Sequence, residues 1–210
     1  YDDTEWYRSS LDVLRLLERV GIRVSIEGLE NLQGRDTPCV FVGNHMSTFE
    51  TFVLPVIILP FKPVTFVVKQ SLVEYPVFKH IMISREPVVV TRKNPREDLT
   101  RVLKEGTERL SRGVSVIIFP QTTRSNDFDP SEFNTIGIKL ARRASVPVIP
   151  VALKTDAWGC GRIIKDFGKI RPELDAHFAF GEPMMVSGRG TEEHKRVIEF
   201  ISSHLAKWKG

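Results

Sequence analysis

The segment Asn44-His45-Met46-Ser47-Thr48-Phe49-Glu50 puts an imidazole five residues ahead of a carboxylate. Histidine is the side chain best suited to accept a proton near neutral pH. A carboxylate beside it holds the ring in one tautomer and stabilises the imidazolium that forms. A second polar segment, Phe119-Pro120-Gln121-Thr122-Thr123-Arg124-Ser125, places a guanidinium among hydroxyls and backbone donors. Guanidinium binds phosphate through paired N–H bonds and keeps its charge. A base in one loop and an anion binder in another are parts of one site if the fold joins them. Ser47-Thr48-Phe49-Glu50 also reads as a capping box, which starts a helix with no chemistry attached.

Both segments follow apolar runs that read as buried strands, Cys39-Val40-Phe41-Val42 and Val114-Ser115-Val116-Ile117-Ile118. Strand ends aim side chains rigidly, which suits catalysis. Further strands are expected at Arg23–Glu27, Val64–Val68, Val88–Arg92, Val148–Leu153 and His177–Phe180. The helix after His45 is expected to start near Ser47 and end before Pro60, and a short helix is expected within Ser71 to Met82, started or interrupted at Pro76. Asn94-Pro95-Arg96-Glu97 is a strong helix start, and Gly113 is its expected stop. Other helices are expected from Asn134 to Ala144 and from Thr191 to about Lys207. This alternation predicts a single α/β domain over residues 1–210, with a mostly parallel central sheet flanked by helices. Residues 1–22 carry Leu11, Leu14, Leu16, Leu17 and Val20 with arginines between them, an amphipathic N-terminal helix. It either packs on the core or lies at a membrane interface.

The ordered blocks resemble the glycerolipid acyltransferases, specifically the 1-acyl-sn-glycerol-3-phosphate (lysophosphatidate) acyltransferases. That family carries His-x4-Asp, an arginine block, Phe-Pro-Glu-Gly-Thr-Arg-Ser and Val-Pro-Val-Ile-Pro-Val. This chain has His45 with Glu50, then Val90-Thr91-Arg92-Lys93-Asn94-Pro95-Arg96-Glu97, then Phe119 to Ser125, then Val146-Pro147-Val148-Ile149-Pro150-Val151. The resemblance runs from about Val24 to Glu182. It departs at Glu50, one methylene longer than the usual Asp, and at Gln121-Thr122, where the family has Glu-Gly.

The resemblance implies transfer of a fatty acyl group from acyl-CoA or an acyl-carrier protein to the free hydroxyl of 1-acyl-glycerol-3-phosphate, giving phosphatidate. A hydroxyl is a poor nucleophile until a base takes its proton. His45 is the expected base and Glu50 its partner. Arg92 and Arg124 are the expected phosphate binders, with Lys69 and Lys139 as added charge. Backbone N–H groups of the Pro120, Gln121, Thr122, Thr123 loop are the expected oxyanion donors. Val146, Pro147, Ile149 and Pro150 offer no polar group and read as a buried strand start, with shaping of an acyl tunnel as their functional alternative. A different lysolipid acceptor, or a non-catalytic lipid-binding homologue, are the competing readings.

Apolar residues make up 41% of the chain and charged residues 27%, ordinary for a globular protein. The net charge of +4 does not mark a dedicated nucleic-acid binder, but suits an anionic membrane surface. Neither Cys39 and Cys160 nor the five histidines show metal-ligand spacing, so no metal and no bound cofactor are expected. A reducing compartment is expected for Cys39, a small core residue in an apolar run. The run Phe52 to Phe61 is too short to span a bilayer, and no signal-peptide pattern is present. The expectation is a bacterial-type enzyme peripheral to the cytoplasmic side of the cell membrane. The chain begins with Tyr1 rather than methionine, so an upstream anchor stays open.

Overall fold

The computed structural model describes residues 1–33, 37–74, 79–121, 123–161 and 168–209. The strands are β1 (Val24–Glu27), β2 (Val40–Gly43), β3 (Val64–Lys69), β4 (Val88–Val90), β5 (Ser115–Ile118), β6 (Val148–Lys154) and β7 (Ala176–Phe180). The helices are α1 (Asp3–Arg19), α2 (Phe49–Ile58), α3 (Gln70–Glu74), α4 (Lys79–Ser84), α5 (Pro95–Ser111), α6 (Ile136–Ala144) and α7 (Thr191–Lys209). The strands form one sheet in the order β1-β7-β6-β2-β5-β3-β4. All neighbours are parallel except β6 and β7, as the alternating pattern predicted.

Central strands buried on both faces must be apolar throughout, and Val40 to Val42 and Val116 to Ile118 are. Phe41, Ile117 and Ile149 join α1 and α2 in one core layer; Val40, Val42, Val116 and Val148 join α5, α6 and α7 in the other. α2 leaves β2 toward the first layer, and α6 leaves β5 toward the second. Adjacent strands β2 and β5 thus send their connections to opposite faces. That opens a crevice at their carboxyl ends, where ligands bind in open α/β sheets.

Helix signals in the sequence act as read. Asn94 Oδ1 accepts the N–H groups of Arg96 and Glu97, with Pro95 in the first helical position. Gly113 ends α5 at φ +83°, a conformation a side chain would strain. Strand β4 is shorter than expected: it stops at Val90, and Arg92 turns back with φ +59°. The segment from 75 to 78, where a helix start or break was expected at Pro76, lies outside the described residues. α1 packs on the core, burying Trp6 and Leu17, with Trp6 edge-on to Phe66 at 6.0 Å. Leu16 and Val20 on its outer side stay 58% and 49% exposed.

Candidate active site

The site begins where β2 runs out. Asn44 extends the strand through its side chain: Nδ2 donates to the Leu153 carbonyl at 2.7 Å, and Oδ1 accepts the Leu153 N–H at 2.9 Å. His45 follows with its backbone clamped to the β5 loop. Its N–H donates to Gln121 Oε1 at 2.7 Å, and its carbonyl accepts from Ser125 N–H at 3.0 Å. The imidazole stacks flat on Phe119, with ring centroids 4.4 Å apart and planes within 1°. The ring's position is therefore set by backbone and stacking together. Its side chain is 11% exposed, so it is sheltered but reachable.

Glu50 sits in the first turn of α2, wholly buried. Its Oε1 meets His45 Nδ1 at 2.8 Å and accepts the N–H groups of Met46 and Ser47 at 2.7 and 2.9 Å. Thr155 Oγ1 and Ser47 Oγ donate to Oε2 at 2.5 and 3.1 Å. The longer side chain bends back over the helix start to both the imidazole and the Ser47 N–H, but the expected capping box is only half formed: the N-cap is Thr48, which makes no side-chain cap bond. Ser47 is a local support: its Oγ accepts from Phe49 N–H at 3.1 Å. Burial alone pushes the Glu50 carboxyl up. The hydrogen bond and charge of His45, with Thr155 and the Ser47 N–H, outweigh burial and hold it below the usual range.

Arg124 Nε lies 3.3 Å from His45 Nε2. Arg92 follows β4, whose carboxyl end lies on the same edge of the parallel sheet as that of β5. Partial burial of its guanidinium, and then the Arg124 charge, hold Arg92 below its usual range, with Asp98 offsetting part of this; the residue as a whole remains open to solvent. Two neighbouring guanidiniums beside a buried imidazole–carboxylate pair make a proton acceptor next to an anion subsite.

The other expected residues are placed as follows. Pro120 is buried, and its carbonyl accepts from Asn134 Nδ2, tying the loop to the start of α6. Thr123 is exposed, and Thr122 lies outside the described residues. Having no N–H, Pro120 cannot donate to an oxyanion, while the Ser125 N–H is committed to His45. Gln121 supplies the amide oxygen for the His45 N–H, a task glutamate would also perform; the amide does it without a charge. Lys139 is exposed in the first turn of α6, and Lys69 is exposed at the end of β3. Val146 and Pro147 are buried just ahead of β6, and Ile149 and Pro150 are buried in its first residues, with Val146 and Ile149 in opposite core layers. Sequence reading missed Thr155 and Asp98. Thr155 stands 105 residues from Glu50, and no local pattern links them.

The acyltransferase family matches residues 23–154, the span that carries β1 through β6 and every polar group above except Thr155. A 1-acyl-sn-glycerol-3-phosphate acyltransferase of Pseudomonas aeruginosa is 35% identical over 206 residues, 96% of this chain and 76% of that protein. A chloroplastic protein of the same description from Brassica napus is 34% identical over 142 residues, 68% of this chain and 39% of that one. The crystal structure of the 1-acyl-sn-glycerophosphate (LPA) acyltransferase PlsC from Thermotoga maritima shares the fold. Its TM-score is 0.76 at 22% identity, covering 99% of this chain and 80% of that one. With the histidine–carboxylate pair and the two arginines standing at the crevice of that fold, the chain belongs to the acyltransferase family.

Proposed function

We propose that this acyltransferase moves a fatty acyl group from a thioester, acyl-CoA or an acyl-carrier protein, to the free hydroxyl of 1-acyl-glycerol-3-phosphate. The products are phosphatidate and free thiol. The observation that carries the reading is the imidazole held between the Glu50 carboxylate at Nδ1 and Arg124 at Nε2. The acceptor hydroxyl gives its proton to His45 Nε2 as its oxygen attacks the thioester carbonyl. Glu50 stabilises the imidazolium that forms. The tetrahedral oxyanion collapses with cleavage of the C–S bond, and the leaving sulfur takes the proton back from Nε2. Arg124 and Arg92 hold the acceptor phosphate and bring its hydroxyl to the base. The relatives' names support this acceptor.

Leu16 and Val20 project from α1 beside Arg15 and Arg19, all exposed. The exposed apolar pair suits peripheral contact with a membrane, while exposed Asp12 and Glu18 offset the charge of Arg15 and Arg19; the cytoplasmic face of the cell membrane is the proposed place of action. Among the described residues no helix is long and apolar enough to cross a membrane.

The test is thiol release from oleoyl-CoA across a panel of lysolipids, with His45→Ala in parallel. Release that needs lysophosphatidate and vanishes in the variant is expected. Binding of lipid with no release under any acceptor would instead mark a lipid-binding homologue.

A further inference from the structure

The turn carrying Arg92 is built around one buried carboxylate. Asp98, in the first turn of α5, is 8% exposed. Its Oδ1 accepts the Thr91 N–H at 2.8 Å and the Thr91 hydroxyl at 3.1 Å, and its Oδ2 accepts the Arg92 N–H at 2.7 Å. Arg92 meanwhile stands at φ +59°. A β-carbon disfavours that region, and such backbone persists only where its surroundings over-determine it. Asp98 supplies that constraint from one side chain, by binding two consecutive backbone N–H groups. Helix α5 needs no such help, because Asn94 already caps it.

The turn reverses the chain just past β4, at the same carboxyl-end edge of the parallel sheet from which the loop bearing Arg124 leaves β5, with β3 between them. Two cations brought to one edge of the sheet favour an anion between them. We infer that Asp98 is a positioning residue for acceptor recognition: it pins the Arg92 turn so that Arg92 and Arg124 close together on a phosphate dianion. This rests on the reading of a phosphorylated acceptor. Asp98 is occupied by Thr91 and the Arg92 N–H, and it acts through Arg92.

Asp98→Asn keeps the shape and one acceptor oxygen while removing the second. Arg92→Ala keeps the turn's N–H bonds and removes the guanidinium. Both are measured against 1-acyl-glycerol-3-phosphate and 1-monoacylglycerol, which lacks the phosphate. Asp98→Asn is expected to raise KM for the phosphorylated acceptor about tenfold or more, with kcat held within about threefold. KM for monoacylglycerol stays unchanged. Arg92→Ala has the same signature, and the double variant is no weaker than Arg92→Ala alone. If the Asn form fails to fold, Asp98→Glu displaces the carboxylate by one methylene and carries the same expectation.

An unchanged KM, or equal losses on both acceptors, overturns the inference and leaves the acceptor assignment standing. If the wild type does not acylate 1-acyl-glycerol-3-phosphate, that assignment falls. Calorimetric titration with glycerol 3-phosphate then decides: weaker binding by Asp98→Asn sustains the inference, and equal or absent binding overturns it.

Discussion

The Nε atom of Arg124 donates to Nε2 of His45 at 3.3 Å. A guanidinium has donors and no acceptor, so Nε2 holds the lone pair and the ring proton sits on Nδ1, directed at Glu50 Oε1. Two contacts on opposite sides of the ring thereby assign one tautomer, the one a general base requires. The same contact places Arg124 beside the nitrogen that, in the proposed reaction, takes the acceptor's proton. Arg124→Gln is expected to lower kcat/KM for lysophosphatidate by about a hundredfold, given the strength of a paired guanidinium–phosphate contact. It should spare monoacylglycerol. Comparing both acceptors in a thiol-release assay checks this; equal losses would remove Arg124 from phosphate binding.

His45→Ala removes the base, whose contribution in comparable reactions is about 10²–10⁴ in rate. Glu50→Gln keeps the size but offers the imidazole an amide. If the amide N–H faces Nδ1, the ring takes the other tautomer, and a loss of about 10³–10⁴ in kcat is expected from the analogous change in hydrolase triads. Both variants should retain the wild-type circular dichroism spectrum while losing turnover. Near-native turnover by either would dissociate the pair from catalysis.

Thr155 Oγ1 donates to the buried carboxylate of Glu50, and Thr155 is itself fully buried. Thr155→Val is nearly isosteric and leaves Oε2 short of one donor. A hydrogen bond to a charged group contributes about 1.5–3 kcal/mol, so urea denaturation at pH 7 should show a loss of that order. kcat should fall with it. Unchanged stability would mean that the N–H and hydroxyl of Ser47 satisfy Oε2 without Thr155.

Glu50 also sets a pH dependence. Its carboxyl titrates below its ordinary value in the folded chain, because the His45 contacts and hydrogen bonds outweigh burial. A depressed carboxyl stabilises the fold fully above its unfolded pKa of about 4.3. That contribution fades as pH falls through the lower folded value. Urea midpoints from pH 7 to pH 3 should therefore drop more for the wild type than for Glu50→Gln, with the difference confined below about pH 4.5. Parallel curves would contradict the depressed carboxyl.

Gly137 faces β2 so closely that a β-carbon there would stand 2.6 Å from Val42 Cγ2. Val42 is buried in the central strand and stiff at χ1, so it cannot step aside. Gly137→Ala should cost about 1–3 kcal/mol by overpacking, despite the better helix propensity of alanine. It should also disturb the loop that α6 anchors through Asn134 and Pro120. A thermal melt compared with wild type measures the first effect, and kcat the second. A stabilised variant would show that α6 can slide away from β2 freely.

The alternation of apolar runs and amphipathic stretches was enough to read the α/β class, because strand burial and helix periodicity are local properties of the chain. Asn94 and Gly113 announced the ends of α5 for the same reason: cap and stop act within one turn. His45 and Glu50 were legible too, standing five residues apart across a helix start. The tertiary structure decided everything that joins distant segments. β2 and β5 are neighbours only because parallel pairing skips the intervening strands, and this brings Arg124 to His45. Thr155 reaches Glu50 only because β6 lies on the other side of β2. The turn at Arg92 depends on a carboxylate whose target is backbone N–H, which no side-chain spacing reveals. α1 left two roles open by pattern alone, since an apolar helix face suits a protein core and a lipid surface equally; packing against α2 buried Trp6 and Leu17 and left Leu16 and Val20 outside.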